Sequence, residues 1–291
     1  MAVYERKYRG YNGPITAEWS RLAIIPRNAY RQVFRSKLFI AFLVFTLVYP
    51  LGIGCGIYIY HNFAAVFPYW PDVDPSEALA ITGDKFLVHF LTPVGVFFGF
   101  LMSLILGPAL ISTDLRNNAL ALYFARPFSR LEYLAGKFFV LALMLSVITW
   151  IPGLLLFAMQ SYYGGWKWLS ENYYAAVGLF VGSWIWIAVL SLLSLAISAF
   201  VRWKMMARAA FFAIFVIPFG FAKAFNAMFD TRWGDLINVA EMVKIVWHGL
   251  FRVPHAADAL PTAAAWFSLL SVCAICFYVL MRRLRPYQVV R

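Results

Sequence analysis

"LFIAFLVFTLVYPLGIGCGIYIY", residues 38–60, is the stretch that decides the fold class. It contains no charged side chain, and a helix of this length, rising 1.5 Å per residue, is long enough to cross the ~30 Å hydrocarbon core of a bilayer. Its glycines and proline are compatible with that setting, because neighbouring helices can satisfy the backbone groups that these residues free. The stretch therefore predicts a transmembrane helix.

Further apolar runs of similar length follow along the chain, at 86–111, 138–160, 173–201, 207–229 and 262–281. Hydrophobic residues make up 63% of the sequence and charged residues only 13%, which is typical of a chain that lies mostly in lipid. We therefore predict an all-α integral membrane protein with six transmembrane helices, formed by residues 38–291. Residues 1–37 form a polar N-terminal tail that lacks the short apolar core of a cleavable signal peptide.

Basic residues are distributed unevenly between the connecting segments. Of the 25 lysines and arginines, 19 lie in the two terminal tails and in the 112–137 and 202–208 connections. Cytoplasmic segments of membrane proteins are enriched in these residues. We therefore predict that both termini are cytoplasmic, which agrees with an even number of spans. The net charge of +12 then reflects orientation in a membrane and not nucleic-acid binding.

A basic amphipathic helix is predicted just before the first span. In the segment 27–37, Arg27, Arg31 and Arg35 fall on one helical face, and apolar side chains occupy another. Such a helix lies along the inner leaflet of a membrane. Two compatible roles follow: it can anchor the chain to anionic membrane lipids, and it can help to dock a cytoplasmic partner.

The connection between the fifth and sixth spans, 230–261, is long enough to hold structure of its own on the outer side. Apolar residues recur at helical spacing over 233–251, and they predict an interfacial or partly re-entrant helix. Close to this connection, Lys223 is a basic residue inside a predicted span. It either marks a substrate pathway or gate, with Asn226 as a neighbouring acceptor, or extends its charge to the membrane surface.

The most patterned connection is "STDLRNNALALYFARPFSRLEYLAGK", residues 112–137. Asp114 or Asn117 can cap the beginning of a short helix. Its apolar positions then share one face: Leu115, Ala119, Leu122 and Tyr123. A short helix with an apolar face on the cytoplasmic side must be covered, either by the chain itself or by a soluble partner.

The same connection contains sequence signals for the end of this short helix and the beginning of the next one. The predicted helix ends near residue 125, because Pro127 disfavours the α conformation at Arg126. Ser129 and Glu132 then have the spacing of a capping box, which begins the helix leading into the third span. Arg130 lies between them. The two arginines can pair with acidic groups of a partner or contact lipid phosphates in an ordinary positively charged loop; the residues alone favour neither interpretation.

This block resembles the corresponding loop in permease subunits of ABC-2 type transporters. These residues carry the likeness: Asp114, Arg126, Pro127, Ser129, Arg130, Glu132, Tyr133, Gly136 and Lys137. The predicted layout of the rest of the chain is also similar. The resemblance implies that the 112–137 connection contains a coupling helix, which seats on a separate ATP-binding subunit. It further implies a second permease chain, identical or related, and export across a bacterial inner (cytoplasmic) membrane.

The chain lacks the phosphate-binding loop of an ATPase. The nearest approach to G-x-x-x-x-G-K-[ST] is Gly136-Lys137, but Phe138 follows and Leu131 stands in place of the first glycine. We therefore expect that the chain is not an enzyme and that ATP and Mg²⁺ bind to the partner ATPase. Of the four histidines only His89 lies in a predicted span, and no second span offers a facing ligand, so we expect no metal or cofactor bound by this chain.

Two other functions remain open at this point. One is a membrane scaffold that anchors a larger complex without transporting anything. The other is a secondary transporter, which is disfavoured because the predicted spans contain almost no carboxylates and no inverted repeat is evident. For the transporter, the aromatic and weakly charged spans favour an amphipathic or lipid-like substrate over an ion.

Overall fold

The computed structural model describes residues 18–63, 85–124, 129–254 and 260–284, and this part of the chain is helical apart from short turns. A π-helical segment, Leu87–Gly99, leads directly into α3, and a 3₁₀ turn, Trp233–Ile237, precedes α8. The α-helices follow in this order: α1 (Glu18–Val33), α2 (Lys37–His61), α3 (Phe100–Arg116), α4 (Ala119–Phe124), α5 (Arg130–Ile148), α6 (Trp150–Phe200), α7 (Lys204–Phe229), α8 (Val239–Leu250) and α9 (Thr262–Arg283).

Five helical stretches in the described residues are long and apolar enough to cross a membrane. They are Lys37–His61, Leu87–Arg116, Arg130–Phe200, Lys204–Phe229 and Thr262–Arg283. Each overlaps one or two of the predicted apolar runs. The predicted all-α class is confirmed, and the stretches support a multi-pass membrane protein.

The stretch Arg130–Phe200 doubles back on itself. Its 71 residues would extend about 105 Å as one straight helix. Instead, Gly165 adopts φ 73° and ψ −176°, outside the helical region, and divides α6 into two limbs. The rings of Trp150 and Phe180 consequently lie 5.3 Å apart, although about 45 Å would separate these residues along a continuous helix. A single glycine thus turns the chain where the sequence predicted a loop over 161–172.

The second limb of α6 lies at the centre of the bundle, where it contacts α3, α5, α8 and α9. Its small residues allow close approach to α3. A Cβ atom on Gly107 would stand 1.8 Å from Oγ of Ser194, so only glycine fits at this contact. Small residues at helix interfaces are a common way of packing membrane helices.

Ser198 on α6 also enters the hydrogen-bond ladder of α3. The backbone amides of Ile111 and Ser112 donate to its hydroxyl oxygen, at 3.0 Å and 2.8 Å. The hydroxyl in turn donates to the carbonyl of Pro108, at 2.8 Å. The side chain therefore links α6 to three backbone groups of α3, close to the proline in that helix.

The helix α8 is inserted into the bundle and does not lie on its surface. Trp247 is fully buried and donates from Nε1 to the carbonyl of Gly182, at 3.0 Å. Trp186 donates to the carbonyl of Gly95 in the π-helical segment, at 2.7 Å, and the two indole rings meet nearly perpendicularly at 6.2 Å. A Cβ atom on Gly95 would lie 2.8 Å from the Trp247 ring. The π-helical segment, α6 and α8 therefore pack against one another.

The predicted outer helix over 233–251 differs from the structure in its beginning and its buried face. Residues Trp233–Ile237 form the 3₁₀ turn, and Asn238 caps α8 by accepting from the amide of Glu241 at 3.4 Å. Trp233 and Ile237, which belong to the predicted apolar stripe, are exposed. The break at the cap rotates the later residues relative to the stripe, so that α8 buries its own set of apolar side chains.

The N-terminal helix is also displaced from its predicted position. It was expected over 27–37 with Pro26 before its first turn, but α1 spans Glu18–Val33 and contains Pro26. A new helix follows at once, because Ser36 accepts from the amide of Phe39 at 3.4 Å and caps α2. Arg35 therefore lies in the turn between the two helices and not on an amphipathic helix face.

Large apolar side chains cover the outer surfaces of α2, α7 and α9. Examples are Leu51 on α2, Ile217 on α7 and Phe267 on α9, all of which are more than 60% exposed. Patches of this extent are unstable in water and indicate contact with lipid or with another chain.

Candidate functional site

The 112–137 connection begins at the end of α3, where the chain turns sharply into α4. Asn118 adopts a left-handed conformation with φ 50°, which asparagine tolerates better than most residues. Asp114 and Leu115 belong to the last turn of α3, and α4 begins only at Ala119. The expectation that Asp114 caps the short helix is therefore wrong, since its carboxylate lies one helix earlier in the chain.

The predicted restart of the helix after the proline is confirmed. The amide of Glu132 donates to Oγ of Ser129 at 3.2 Å, and the amide of Ser129 donates to the Glu132 carboxylate at 2.6 Å. This reciprocal pair is a capping box, which satisfies two amides that the first turn of α5 would otherwise leave without partners. The beginning of α5 is thus fixed by local sequence.

Asp114 joins α3 to α5 through a buried polar cluster. Its carboxylate lies 2.7 Å from Nζ of Lys137 and accepts a 2.7 Å hydrogen bond from the hydroxyl of Tyr133. Lys137 also donates to the carbonyl of Leu110, at 2.9 Å. The side chains of Lys137 and Asp114 are only 8% and 16% exposed. Because removal of one partner would leave a buried charge uncompensated, this pair holds the ends of the two helices together.

Tyr123 connects α4 to the same cluster. Its ring lies 5.4 Å from that of Tyr133. Burial raises the pKa of the Tyr123 phenol above 10.0, and the nearby negative charge of Asp114 raises it further. The phenol is therefore neutral at physiological pH, and the short helix is attached to the junction of α3 and α5 by an aromatic contact.

The helix α1 lies beside α5 at the same end of the molecule. The hydroxyl of Tyr30 donates to the carbonyls of Phe139 and Val140, at 3.1 Å and 3.2 Å. Burial raises the pKa of Tyr30 to about 12, so this phenol also remains neutral. Arg27 and Arg31 are exposed.

A cavity of about 530 Å³ opens between α1, α3, α4 and α7, next to the polar cluster. It is lined by Asp114 and Lys137, by amide side chains of α1, and by Lys204 and Arg208 from the first turns of α7. The beginnings of α2, α5 and α7 and the end of α3 all meet here. We call this the basic end of the molecule.

Of the remaining predicted residues of the connection, the structure describes two in full and three in part or not at all. Leu115 packs against the core, and Arg130 is the first residue of α5. Leu122 belongs to α4, but its side chain is outside the described set, and Arg126 and Pro127 lie in the undescribed residues 125–128.

Lys223 and Asn226 line a different cavity, of about 880 Å³, between α7 and the 3₁₀ turn. The ammonium group of Lys223 lies 4.7 Å above the ring of Phe219. The side-chain carbonyl of Asn226 accepts from the amide of Gly234 at 2.9 Å and so fixes the 3₁₀ turn. A Cβ atom on Gly234 would approach that carbonyl to 2.7 Å, so a residue with a side chain would not fit at this position. The structure thus gives Asn226 a bonding partner other than Lys223.

Several residues of the site were missed in the sequence. Lys137 and Tyr133 were noted only as parts of a motif; their spacing of four residues, which places them on one face of a helix, was the available signal. Arg208 and Ser198 gave no signal, because their partners Ile105 and Pro108 are about 90 or more residues away.

Comparison with known proteins gives the chain no relative: it matches no protein-family model and no curated protein. Chemically, the junction at the basic end can hold two apolar helices in register, present a short helix beyond them, and offer positive charge to a ligand.

Proposed function

We propose that the chain is the membrane-spanning permease subunit of an ABC-2 type transporter. It exports an amphipathic or lipid-like substrate and is powered by a separate ATP-binding subunit, on which ATP and Mg²⁺ bind. The observation that carries this proposal is the buried Asp114–Lys137 pair, with N and O atoms 2.7 Å apart, at the base of the 112–137 connection. A connection that only linked two spans would not need such a junction.

The proposed topology has six crossings, with both termini in the cytoplasm. Two features support it. The apolar stretch Arg130–Phe200 turns back at Gly165 and can therefore cross twice, which adds one crossing to the five stretches. The basic residues concentrate in the tails and in the two connections that would then be cytoplasmic. The membrane would be a bacterial inner membrane.

In the proposed mechanism, α4 and the residues after it dock on the ATPase subunit. A displacement of α4 passes to Tyr133 through the ring of Tyr123. Because Asp114 binds both Tyr133 and Lys137, α3 and α5 then move together. Coupling of this kind requires a continuous set of packed and bonded groups, and these contacts form one.

A second permease chain, identical or related, would cover part of the exposed apolar surface. The faces of α2, α7 and α9 carry large apolar side chains that contact little within the described part of this chain. The substrate path would form between two chains, along α7 and the stretch Leu87–Arg116. Exposed aromatic side chains of α7, including Phe212 and Phe219, suit an amphipathic molecule.

The test is Mg-ATP hydrolysis by the complex purified through a tag on this chain. Leu122→Asp places a charge on the predicted docking face of α4, and Arg126→Glu reverses a charge beside it. Each should reduce the co-purified ATPase activity at least about tenfold, which corresponds to ~1.4 kcal/mol of lost docking energy. The amount of chain inserted in the membrane should not change.

Lys167→Glu is the matched control, because Lys167 is exposed beside the turn at Gly165, away from the 112–137 connection. It should leave the ATPase activity unchanged. Full activity in both loop variants would rule out docking through the connection. A stable complex without any ATPase would favour the membrane scaffold instead.

A further inference from the structure

The cavity at the basic end has the size of a small-molecule site. Its volume of about 530 Å³ falls in the range of ~300–1,000 Å³ that is usual for ligand pockets. Its walls come from α1, α3, α4 and α7, so that it lies between the amphipathic helix and the ends of apolar helices. A bound molecule would thus sit at the depth of the membrane surface.

The lining of this cavity carries uncompensated positive charge. Asp114 is the one carboxylate among its described lining residues, and it is already paired with Lys137. Lys204 and Arg208 then remain, four residues apart on α7, without a carboxylate partner within the described part of the chain. An anion in the cavity would neutralise them.

The guanidinium group of Arg208 is only partly hydrogen-bonded within the described part of the chain. One of its terminal nitrogens donates to the carbonyl of Ile105 at 2.9 Å. Its Nε atom is buried and has no hydrogen-bond partner among the described residues. The guanidinium is a planar fork suited to the oxygen atoms of a phosphate.

The residues next to the cavity are apolar and exposed. Leu38 on the first turn of α2 is 73% exposed, and Met205 and Met206 on the first turn of α7 are 66% and 64% exposed. A soluble anion would gain nothing from these side chains. A molecule with an anionic head group and hydrocarbon chains would contact both the cations and the apolar surface.

We propose that this cavity binds the phosphate head group of an anionic phospholipid from the adjacent leaflet. Arg208 and Lys204 contact the phosphate, Asn28 and Gln32 of α1 offer amide groups to the rest of the head group, and the acyl chains follow α2 and α7. The site would stabilise α1 against the bundle. This inference does not depend on the transporter proposal, since a scaffold would need the same anchor.

The test measures thermal unfolding of the full purified chain in neutral detergent during titration with dioctanoyl phosphatidylglycerol. A saturable rise in the unfolding temperature is expected, and dioctanoyl phosphatidylcholine should give a much weaker one. Because each cation near a membrane surface contributes about fivefold to the affinity for anionic lipid, the double variant Lys204→Gln/Arg208→Gln should bind about 25-fold more weakly.

Arg202→Gln is the matched control. Arg202 is an exposed cation two residues from Lys204, but it does not line the cavity. This variant should bind within about twofold of the wild type, as expected for an exposed charge outside the site.

A further variant distinguishes weaker lipid binding from a folding defect. Asn28→Asp is nearly isosteric, and Asn28 is exposed, so the unliganded chain should unfold at an unchanged temperature. The added negative charge should nevertheless weaken binding about fivefold, by the reasoning used for the cations.

Three results would overturn the proposal. The first is equal stabilisation by the two lipids. The second is unchanged affinity in Asn28→Asp and in the double variant, provided that the latter folds. The third is equally strong stabilisation by inorganic phosphate or glycerol 3-phosphate, which would indicate a site for a soluble anion. Loss of the ATPase partner would leave all these results unchanged, so that failure of the two proposals can be distinguished.

Discussion

At the scale of single residues, Asp114 makes two polar contacts that join neighbouring helices in a chain with few charged residues. Its carboxylate binds both Lys137 and Tyr133, and Lys137 reaches the carbonyl of Leu110 as well. Charged groups in such surroundings are costly unless paired. The pair therefore makes the register of α3 against α5 specific, and its contribution can be measured.

Lys137→Met should lower the free energy of unfolding by about 3–5 kcal/mol, because it leaves the Asp114 carboxylate buried without its cation. The measurement is reversible unfolding of the purified chain in detergent. The double variant Asp114→Asn/Lys137→Met should recover much of the loss, since a neutral pair of similar shape needs no counter-charge. Equal destabilisation by the single and double variants would show that packing, and not charge, dominates this junction.

At the scale of helices and turns, α3 shares backbone hydrogen bonds with a side chain of the neighbouring helix α6. Ser198 accepts from two amides of α3 and donates to a third backbone group. These bonds lie within about one turn of Pro108, whose missing N–H removes one bond from the ladder of α3. The bonded residues Ile111 and Ser112 lie within one turn of Asp114, so Ser198 connects the base of the 112–137 connection to α6.

Ser198→Ala should therefore loosen α3 locally. The amides of Ile111 and Ser112 lose this acceptor, and their hydrogen exchange should become faster by about fivefold, which corresponds to a net hydrogen-bond contribution of ~1 kcal/mol each. Exchange is measured by mass spectrometry on peptides covering 105–116. The control is Ser170→Ala, because the exposed Ser170 hydroxyl contacts only its own helix, at Lys167. Unchanged exchange in the peptides would refute the bridging role.

The helices were predictable from the sequence, and their breaks were only partly so. Apolar length alone locates α2, α7 and α9, whose ends agree with the predicted runs within a few residues. The reversal of the chain within 161–172 was predictable, because an apolar run lies on each side of it, but its tight form, with helix up to and after Gly165, was not. The burial of α8 was also hidden, since it depends on glycines in other helices that leave room for Trp247.

At the scale of the whole molecule, the candidate site was also only partly predictable from the sequence. The capping box of Ser129 and Glu132 was predictable, because both partners lie within one turn. The role of Asp114 was misassigned, because a local cap and a partner 23 residues away look alike in a sequence. The cavity was not predictable at all, since Lys204 and Arg208 reach it only when α7 has packed against α3.

The number of crossings can be tested with single cysteines in a chain whose three native cysteines are replaced by serine. Asn117→Cys, Ser170→Cys and Arg202→Cys are all at exposed positions. With six crossings, an impermeant thiol reagent should label Ser170→Cys in intact cells, and the other two only after permeabilisation. This pattern follows because the turn at Gly165 would lie on the outer side of the membrane, and the ends of α3 and α6 on the cytoplasmic side. Labelling of all three from one side would contradict the topology.

The paired tryptophans at the centre of the bundle carry one last consequence. Trp186 and Trp247 each bond to a backbone carbonyl and fill the space where three helical segments meet. A molecule could pass between these three segments of a single copy only by breaking the hydrogen bonds of both indoles. The transport path proposed above would therefore have to lie outside this packed centre, as it does when two copies form it, and a variant that blocks their association should abolish transport.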